Sequence, residues 1–267
     1  MLASQIRQKA RDALAGKWGK AALLTLSYVV LLFIIEWVLG LISVLIPVLS
    51  FLVSITLFVM NIPIVFGLTA VFMKLKRGED VGYAEFLSIA FSNIGNAWKV
   101  AGNIVLKILP LMIGIIVSIV LLSFGVTGSI VSSRILSSFS SVTSSGFGLL
   151  GVIGFIGYIV CIILLIPKSF SYALSYYILF DNPSMTGKQI VEESERLMNG
   201  NRWKLLCLSF SFIGWAILAT FTFYIGYFWL IPYMAVATVC FYETLSDNTV
   251  VETTKIEDNN NDSIQGE

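Results

Sequence analysis

The chain has 267 residues, of which 57% are hydrophobic and only 12% charged. A typical soluble domain is roughly 45–50% apolar and about 25% charged, and a mean hydropathy of +0.88 is more than a water-soluble core can hide. The sequence reads as an integral membrane protein. It contains no histidine, which removes His-based acid–base relays, His-ligated metals and Ser-His-Asp triads. Cys161, Cys207 and Cys240 stand isolated in apolar runs without metal-ligand spacing and read as small buried hydrophobes. A net charge of +1 gives no pull toward nucleic acid. No phosphate-binding glycine loop or zinc-helix motif occurs, so neither a cofactor nor a metal is expected.

Six apolar stretches long enough to cross a bilayer follow in chain order: Ala21–Ile46, Val48–Met73, Ile104–Phe124, Phe147–Phe180, Leu205–Phe223 and Tyr224–Leu245. The first is too long for a cleaved signal peptide, and no small-residue cleavage site follows it. Basic residues cluster on one side of these spans. Arg7, Lys9, Arg11, Lys17 and Lys20 precede the first, Lys74, Lys76, Arg77 and Lys99 lie between the second and third, and Lys188, Arg196, Arg202 and Lys204 lie between the fourth and fifth. The opposite side has only Arg134 in a loop, so both termini are expected in the cytoplasm of a cell whose plasma membrane holds the protein. The serine-rich stretch Ser123–Gly148, with Val131, Ile135, Phe139 and Val142 at helical spacing, fits a short outer amphipathic helix or a flexible linker equally. Residues 247–267 are acidic and asparagine-rich and read as a disordered cytoplasmic tail on a single membrane domain, 1–246.

Within that domain one pattern occurs three times, over about 1–79, 80–181 and 182–246. A stretch with helical apolar spacing ends at a glycine, and a tryptophan and a lysine follow: Gly16-Lys17-Trp18-Gly19-Lys20, Gly95-Asn96-Ala97-Trp98-Lys99 and Gly200-Asn201-Arg202-Trp203-Lys204. Glycine takes the left-handed conformation that ends a helix. Tryptophan favours the headgroup zone and lysine snorkels to phosphates, so Trp18, Lys20, Trp98, Lys99, Trp203 and Lys204 read as interfacial anchors. The apolar faces before the glycines are Leu2, Ile6, Ala10, Ala13 and Leu14; Tyr83, Phe86, Leu87, Ala90, Phe91 and Ile94; and Ile190, Ser194, Leu197 and Met198. Thr186 and Gln189 form a capping box before the last. Such helices are expected to lie in the interface. Pro63, Pro167 and Pro232 each follow an isoleucine within the second span of a repeat and are expected to break it. The fold expected is all-α: six transmembrane helices forming three Pro-broken hairpins, each preceded by an interfacial amphipathic helix and related by approximate threefold symmetry.

Asp181-Asn182-Pro183, Glu193-Ser194, Met198-Asn199-Gly200-Asn201, Trp203-Lys204, Phe212-Ile213-Gly214-Trp215, Trp229-Leu230-Ile231-Pro232-Tyr233 and Phe241-Tyr242-Glu243 resemble a bacterial membrane family, domain-of-unknown-function family 975. The Ala10–Tyr28 segment resembles that family's opening, and the likeness runs from about residue 5 to 246. The family is distantly similar to the membrane portion of some glycerophosphodiesterases. The resemblance implies a fold and no activity. Where the family usually has glycine after the proline of the fourth span, this chain has Lys168.

Glu36 is the one acid well inside a span, and intramembrane carboxylates point to proton or cation binding unless they reach headgroups or an internal partner. Lys168, after the proline, fits a cavity-lining cation or an interfacial anchor. Lys107 is expected to snorkel. The aromatics of the last spans, including Tyr172, Trp215 and Tyr233, fit belts and core packing, and with Glu36 and Lys168 they form the candidate ligand-binding set. No catalytic residue is assigned, because no paired acids and no nucleophile with a base occur together. The function expected is non-catalytic: binding or transport of a membrane lipid or an amphipathic peptide, or contact with a membrane partner protein, in envelope stress or peptide immunity. The alternative is an intramembrane lipid hydrolase using Glu36 or Asp181.

Overall fold

The structure, a computed structural model, describes the backbone of residues 3–45, 47–135 and 140–265, with side chains over 3–41, 52, 54–131 and 146–247. Leu2, Ile46 and Phe139, which figure in the sequence reading, lie outside the described residues, as do the last two residues of the tail. The described chain is helical, without strands. Among the described residues, six stretches are long and apolar enough to cross a membrane: Trp18–Leu41, Ser54–Arg77, Ile94–Val131, Gly146–Asp181, Arg202–Phe221 and Tyr227–Asp247. The protein is a multi-pass helical membrane protein. The backbone groups two compact units, one of residues 1–101 and 174–267, the other of residues 102–173.

In the larger unit the three amphipathic helices form where the apolar spacing places them: α1 (Ala3–Leu14), α4 (Glu85–Ser92) and α8 (Gly187–Met198). Gly16 and Gly200 have φ of 76° and 74°, the left-handed stop that lets the chain turn into α2 (Trp18–Leu45) and α9 (Arg202–Phe210). The stretch after α4 turns differently. Asn93 caps α4, its N–H on the Ala90 carbonyl, and Gly95 already lies within α5 (Ile94–Ile135). The capping box forms as read, with Thr186 N–H donating to Gln189 Oε1 at 2.9 Å and Gln189 N–H to Thr186 Oγ1 at 3.4 Å.

The apolar faces of these helices pack on protein. Ile6, Ala10 and Leu14 of α1 are buried, with α11 (Tyr227–Gln265) and α9 as neighbours. Phe86 and Ala90 of α4 are buried against α3 (Pro47–Arg77). Ile190, Ser194, Leu197 and Met198 of α8 are buried, with α7 (Ser175–Asp181) adjacent. Backbone contacts fix two of these seats. A Cβ at Gly67 would overlap the Phe86 carbonyl, and one at Gly187 would come within 2.8 Å of the Lys99 backbone. Tyr83 and Phe91 remain exposed on the rim.

The prolines do not interrupt the helices. Pro63, Pro167 and Pro232 stand inside α3, α6 (Ser140–Ser171) and α11, as Pro110 does inside α5. A proline frees the carbonyl four residues earlier, and a helix continues where something else satisfies that carbonyl. For Pro63 the group is Val59 O, which accepts the Trp98 indole N–H at 3.1 Å. The interruptions fall elsewhere: at residues 172–174 after α6, at Ser211-Phe212 between α9 and α10 (Ile213–Phe221), and at 222–226 before α11. The backbone of α11 is helical as far as Gln265.

The smaller unit is a hairpin of α5 and α6 held by small residues. A Cβ on Gly125 would overlap the Gly151 backbone, one on Gly154 the Leu122 backbone, and one on Gly157 would reach Ser118 Oγ at 2.8 Å. In lipid, where apolar burial gives little drive, such close approach supplies packing. Gly151, Gly154 and Gly157 recur every third residue, a signal the sequence carried. Cys240 is buried and Cys161 part-buried, but Cys207 is exposed on α9, where lipid-facing apolar composition stands in for core burial.

Candidate functional site

A cavity of about 620 Å³ opens between α1, the start of α2, α10 and α11. Two helix faces build its walls. Trp215, Leu218, Ala219 and Thr222 recur at helical spacing along α10, and Gly226, Trp229, Leu230 and Tyr233 do the same from the turn into α11. The walls meet at one end, where a Cβ on Gly226 would lie 2.9 Å from Ala219 Cα. The turn between them holds Phe223 and Tyr224 at φ of 51° and 66°, and the Gly226 N–H bonds Thr222 Oγ1 at 3.0 Å.

The other end carries Arg7, Arg11 and Trp18. Arg7 and Arg11 are four apart and share a side of α1. Tyr233 ties this end together. Its hydroxyl donates to the Arg7 carbonyl at 3.3 Å, and its ring stands edge-on to Phe212 at 5.0 Å and to Trp18 at 5.8 Å. Arg7 Nη1 reaches the Ser211 carbonyl at 3.4 Å, in the break between α9 and α10. The cavity is thus apolar along its length and cationic at one end, with no carboxylate among its described lining residues.

Of the candidate ligand-binding residues, Trp215 and Tyr233 meet here, joined by Trp18 from the anchor set. Glu36 does not. It is exposed on α2 and lines a separate pocket of about 320 Å³ with Thr56, Met60 and Asn61. Lys168 and Tyr172 belong to the smaller unit, where Lys168 Nζ lies 5.4 Å from the Tyr172 ring and Lys107 Nζ 6.0 Å. The remaining anchors differ in setting. Lys20 pairs with Asp80, Lys204 donates to Asn201 Oδ1 at 2.7 Å, Trp98 bonds Val59, and Trp203 is 74% exposed. Lys99 presents its backbone to Gly187.

A polar cluster joins the ends of α3 and α7 to the middle of α11. Arg77 clamps Asp181 through both terminal nitrogens at 2.7 and 2.9 Å, Tyr242 OH donates to Asp181 at 3.0 Å, and Glu243 accepts from Lys76 and, at 3.4 Å, from Arg77 Nε. Asp181 thus accepts three bonds, two of them a bidentate clamp from Arg77, and is a structural carboxylate by geometry. Sequence spacing could not pair residues 77 and 181. No group of three or more potential metal ligands occurs among the described residues.

The chain matches the family described as "Protein of unknown function (DUF975)" over residues 1–249, and it belongs to that family. Comparison with curated proteins and with solved structures finds no match.

Proposed function

We propose that this protein is a non-catalytic binder of a membrane lipid or amphipathic peptide, acting in a bacterial plasma membrane with both termini cytoplasmic. The observation that carries the reading is the cavity between α10 and α11, apolar along its walls and lined at one end by Arg7 and Arg11. Its volume lies within the roughly 300–1,000 Å³ typical of small-molecule sites. Placing the basic side of the spans in the cytoplasm puts α1 on the inner leaflet. The hydrolase alternative needs a carboxylate free to move a proton. Asp181 is held by Arg77 and Tyr242, and Glu36 lines a different pocket from the arginines, which favours binding over hydrolysis. Native mass spectrometry of protein purified from its membrane is expected to detect a retained lipid or peptide, with Trp215→Ala lowering retention at least threefold. Hydrolysis of phospholipid or glycerophosphodiester by the pure protein, abolished by Glu36→Gln or Asp181→Asn, would replace this reading with the enzyme.

A further inference from the structure

We infer that the ligand of this cavity is an anionic phospholipid, its phosphate held by Arg7 and Arg11 and an acyl chain lying between α10 and α11; the inference rests on the binding function proposed above. Charge sorting on α1 is the first argument. Arg7 and Arg11 face the apolar cavity, whereas Lys9 and Asp12 line a different, polar one of about 310 Å³ beside Lys76 and Glu243. The carboxylate of α1 is thus turned away from the arginines, which leaves a purely cationic mouth on an apolar slot.

Guanidinium chemistry is the second. Each arginine carries five donors in a planar fork that matches phosphate oxygens, and the Ser211 carbonyl engages Arg7 through Nη1 at 3.4 Å. Arg11 is exposed on the same side of the helix. A headgroup phosphate between them would gain charge-assisted hydrogen bonds that a zwitterionic lipid's own ammonium partly offsets.

The wall chemistry is the third. A free phosphate would leave Trp215, Leu218, Trp229 and Leu230 unoccupied, while an acyl chain covers them. The close approach of Gly226 to Ala219 ends the slot opposite the arginines and limits how far an acyl chain runs between the two helices. Tyr233, bonded to the Arg7 backbone, sets the depth at which head and tail part.

The test is native mass spectrometry of the full chain in detergent, incubated with equal phosphatidylglycerol and phosphatidylcholine of identical chains. Single-adduct phosphatidylglycerol is expected to exceed phosphatidylcholine about tenfold, equivalent to ~1.4 kcal/mol. Arg7→Gln with Arg11→Gln should bring the ratio below about twofold, mainly by lowering the phosphatidylglycerol adduct through the loss of charge-assisted bonding to the phosphate. Arg11→Gln alone, at an exposed position, should lower the ratio about threefold, one guanidinium's share of that bonding, and guards against misfolding of the double variant. Trp215→Ala should lower both lipids together. Equal retention of the two lipids by wild type, still reduced by Trp215→Ala, overturns the headgroup assignment and leaves the binding function standing. Retention indifferent to Trp215→Ala overturns both. A peptide in the single-adduct peak, or displacement by glycerol phosphate alone, overturns the phospholipid.

Discussion

The Trp98 indole donates its N–H to the carbonyl of Val59, the residue four before Pro63, at 3.1 Å. Proline has no N–H, so Val59 O has no intrahelical partner from residue 63. The tryptophan that opens α5 supplies the missing donor, and α3 runs through its proline without interruption. What reads in sequence as a headgroup anchor is here a side-chain repair of a neighbouring helix.

A double-mutant cycle follows. Trp98→Phe keeps the ring and removes the donor, so it should lower stability by about 1–3 kcal/mol, the range for leaving a polar group unpaired, since Val59 lies within an apolar span where no water replaces the donor. In a Pro63→Ala background residue 63 donates to Val59 itself, and the same change should cost little. Thermal unfolding of the four proteins in one detergent measures the coupling, expected at about 1–3 kcal/mol. Equal costs in both backgrounds would show that Trp98 acts through packing alone.

The seat of α4 on α3 gives a second expectation. Because a Cβ at Gly67 overlaps the Phe86 carbonyl, Gly67→Ala must push the helix backbones apart. Overpacking of this kind costs typically about 1–3 kcal/mol. Gly19→Ala meets nothing within 4 Å and is the control, expected neutral or slightly stabilising because alanine is the better helix former. Unfolding temperatures of the two variants should separate cleanly. Proteolysis near residues 78–84 should also rise only for Gly67→Ala.

Glu85 predicts a pH dependence. The Lys74 ammonium, bonded to it at 2.7 Å, holds its carboxyl below the ordinary carboxylate range; burial opposes this and the Gly82 N–H adds to it. A depressed folded value means the unfolded chain binds the proton more tightly. The stabilisation is thus full above the unfolded value of about 4.3 and disappears as pH falls through the lower folded one. Melting temperature should drop over that acid window, and Glu85→Gln should flatten the drop while lowering stability at pH 7. An unchanged slope in the variant would assign the acid loss to other carboxylates.

The sequence made the six spans, the three amphipathic helices and the Thr186–Gln189 box legible, since each follows from local periodicity or a short motif. It hid what those elements touch. In an apolar helix, residues that face lipid and residues that face protein are equally apolar, so the wall formed by Trp215, Leu218, Ala219 and Thr222 has no contrast against its surroundings. The arginines of α1 read as topology signals because the carbonyl that accepts from the Arg7 guanidinium, that of Ser211, lies 204 residues away in the chain. Pro63 read as a break because its compensating donor lies 39 residues from Val59 in the chain. Only the local half of each of these relationships is written in neighbouring residues.

The third hairpin is the most demanding test of the proposed topology. From Arg202 to Phe221 there are 20 residues, about 30 Å of helix, against a hydrocarbon core about 30 Å thick. By comparison α2 has 28 residues and α3 has 31, about 42 and 46 Å, enough to cross with tilt. The third hairpin has no length to spare, and the break at Ser211-Phe212 shortens it further. Its turn suits an interface: Phe221, Phe223 and Tyr224 are strongly exposed there, and aromatic rings favour the headgroup zone. In a cysteine-free variant, Ile225→Cys should react with an impermeant thiol reagent added to intact cells, more slowly than Ser137→Cys between the third and fourth spans. Glu192→Cys, on the exposed face of α8, should react only after permeabilisation. Protection of Ile225→Cys with free labelling of Ser137→Cys would make the hairpin re-entrant and reduce the crossings to four. Labelling of Glu192→Cys in intact cells would invert the orientation, and with it the leaflet that α1 faces.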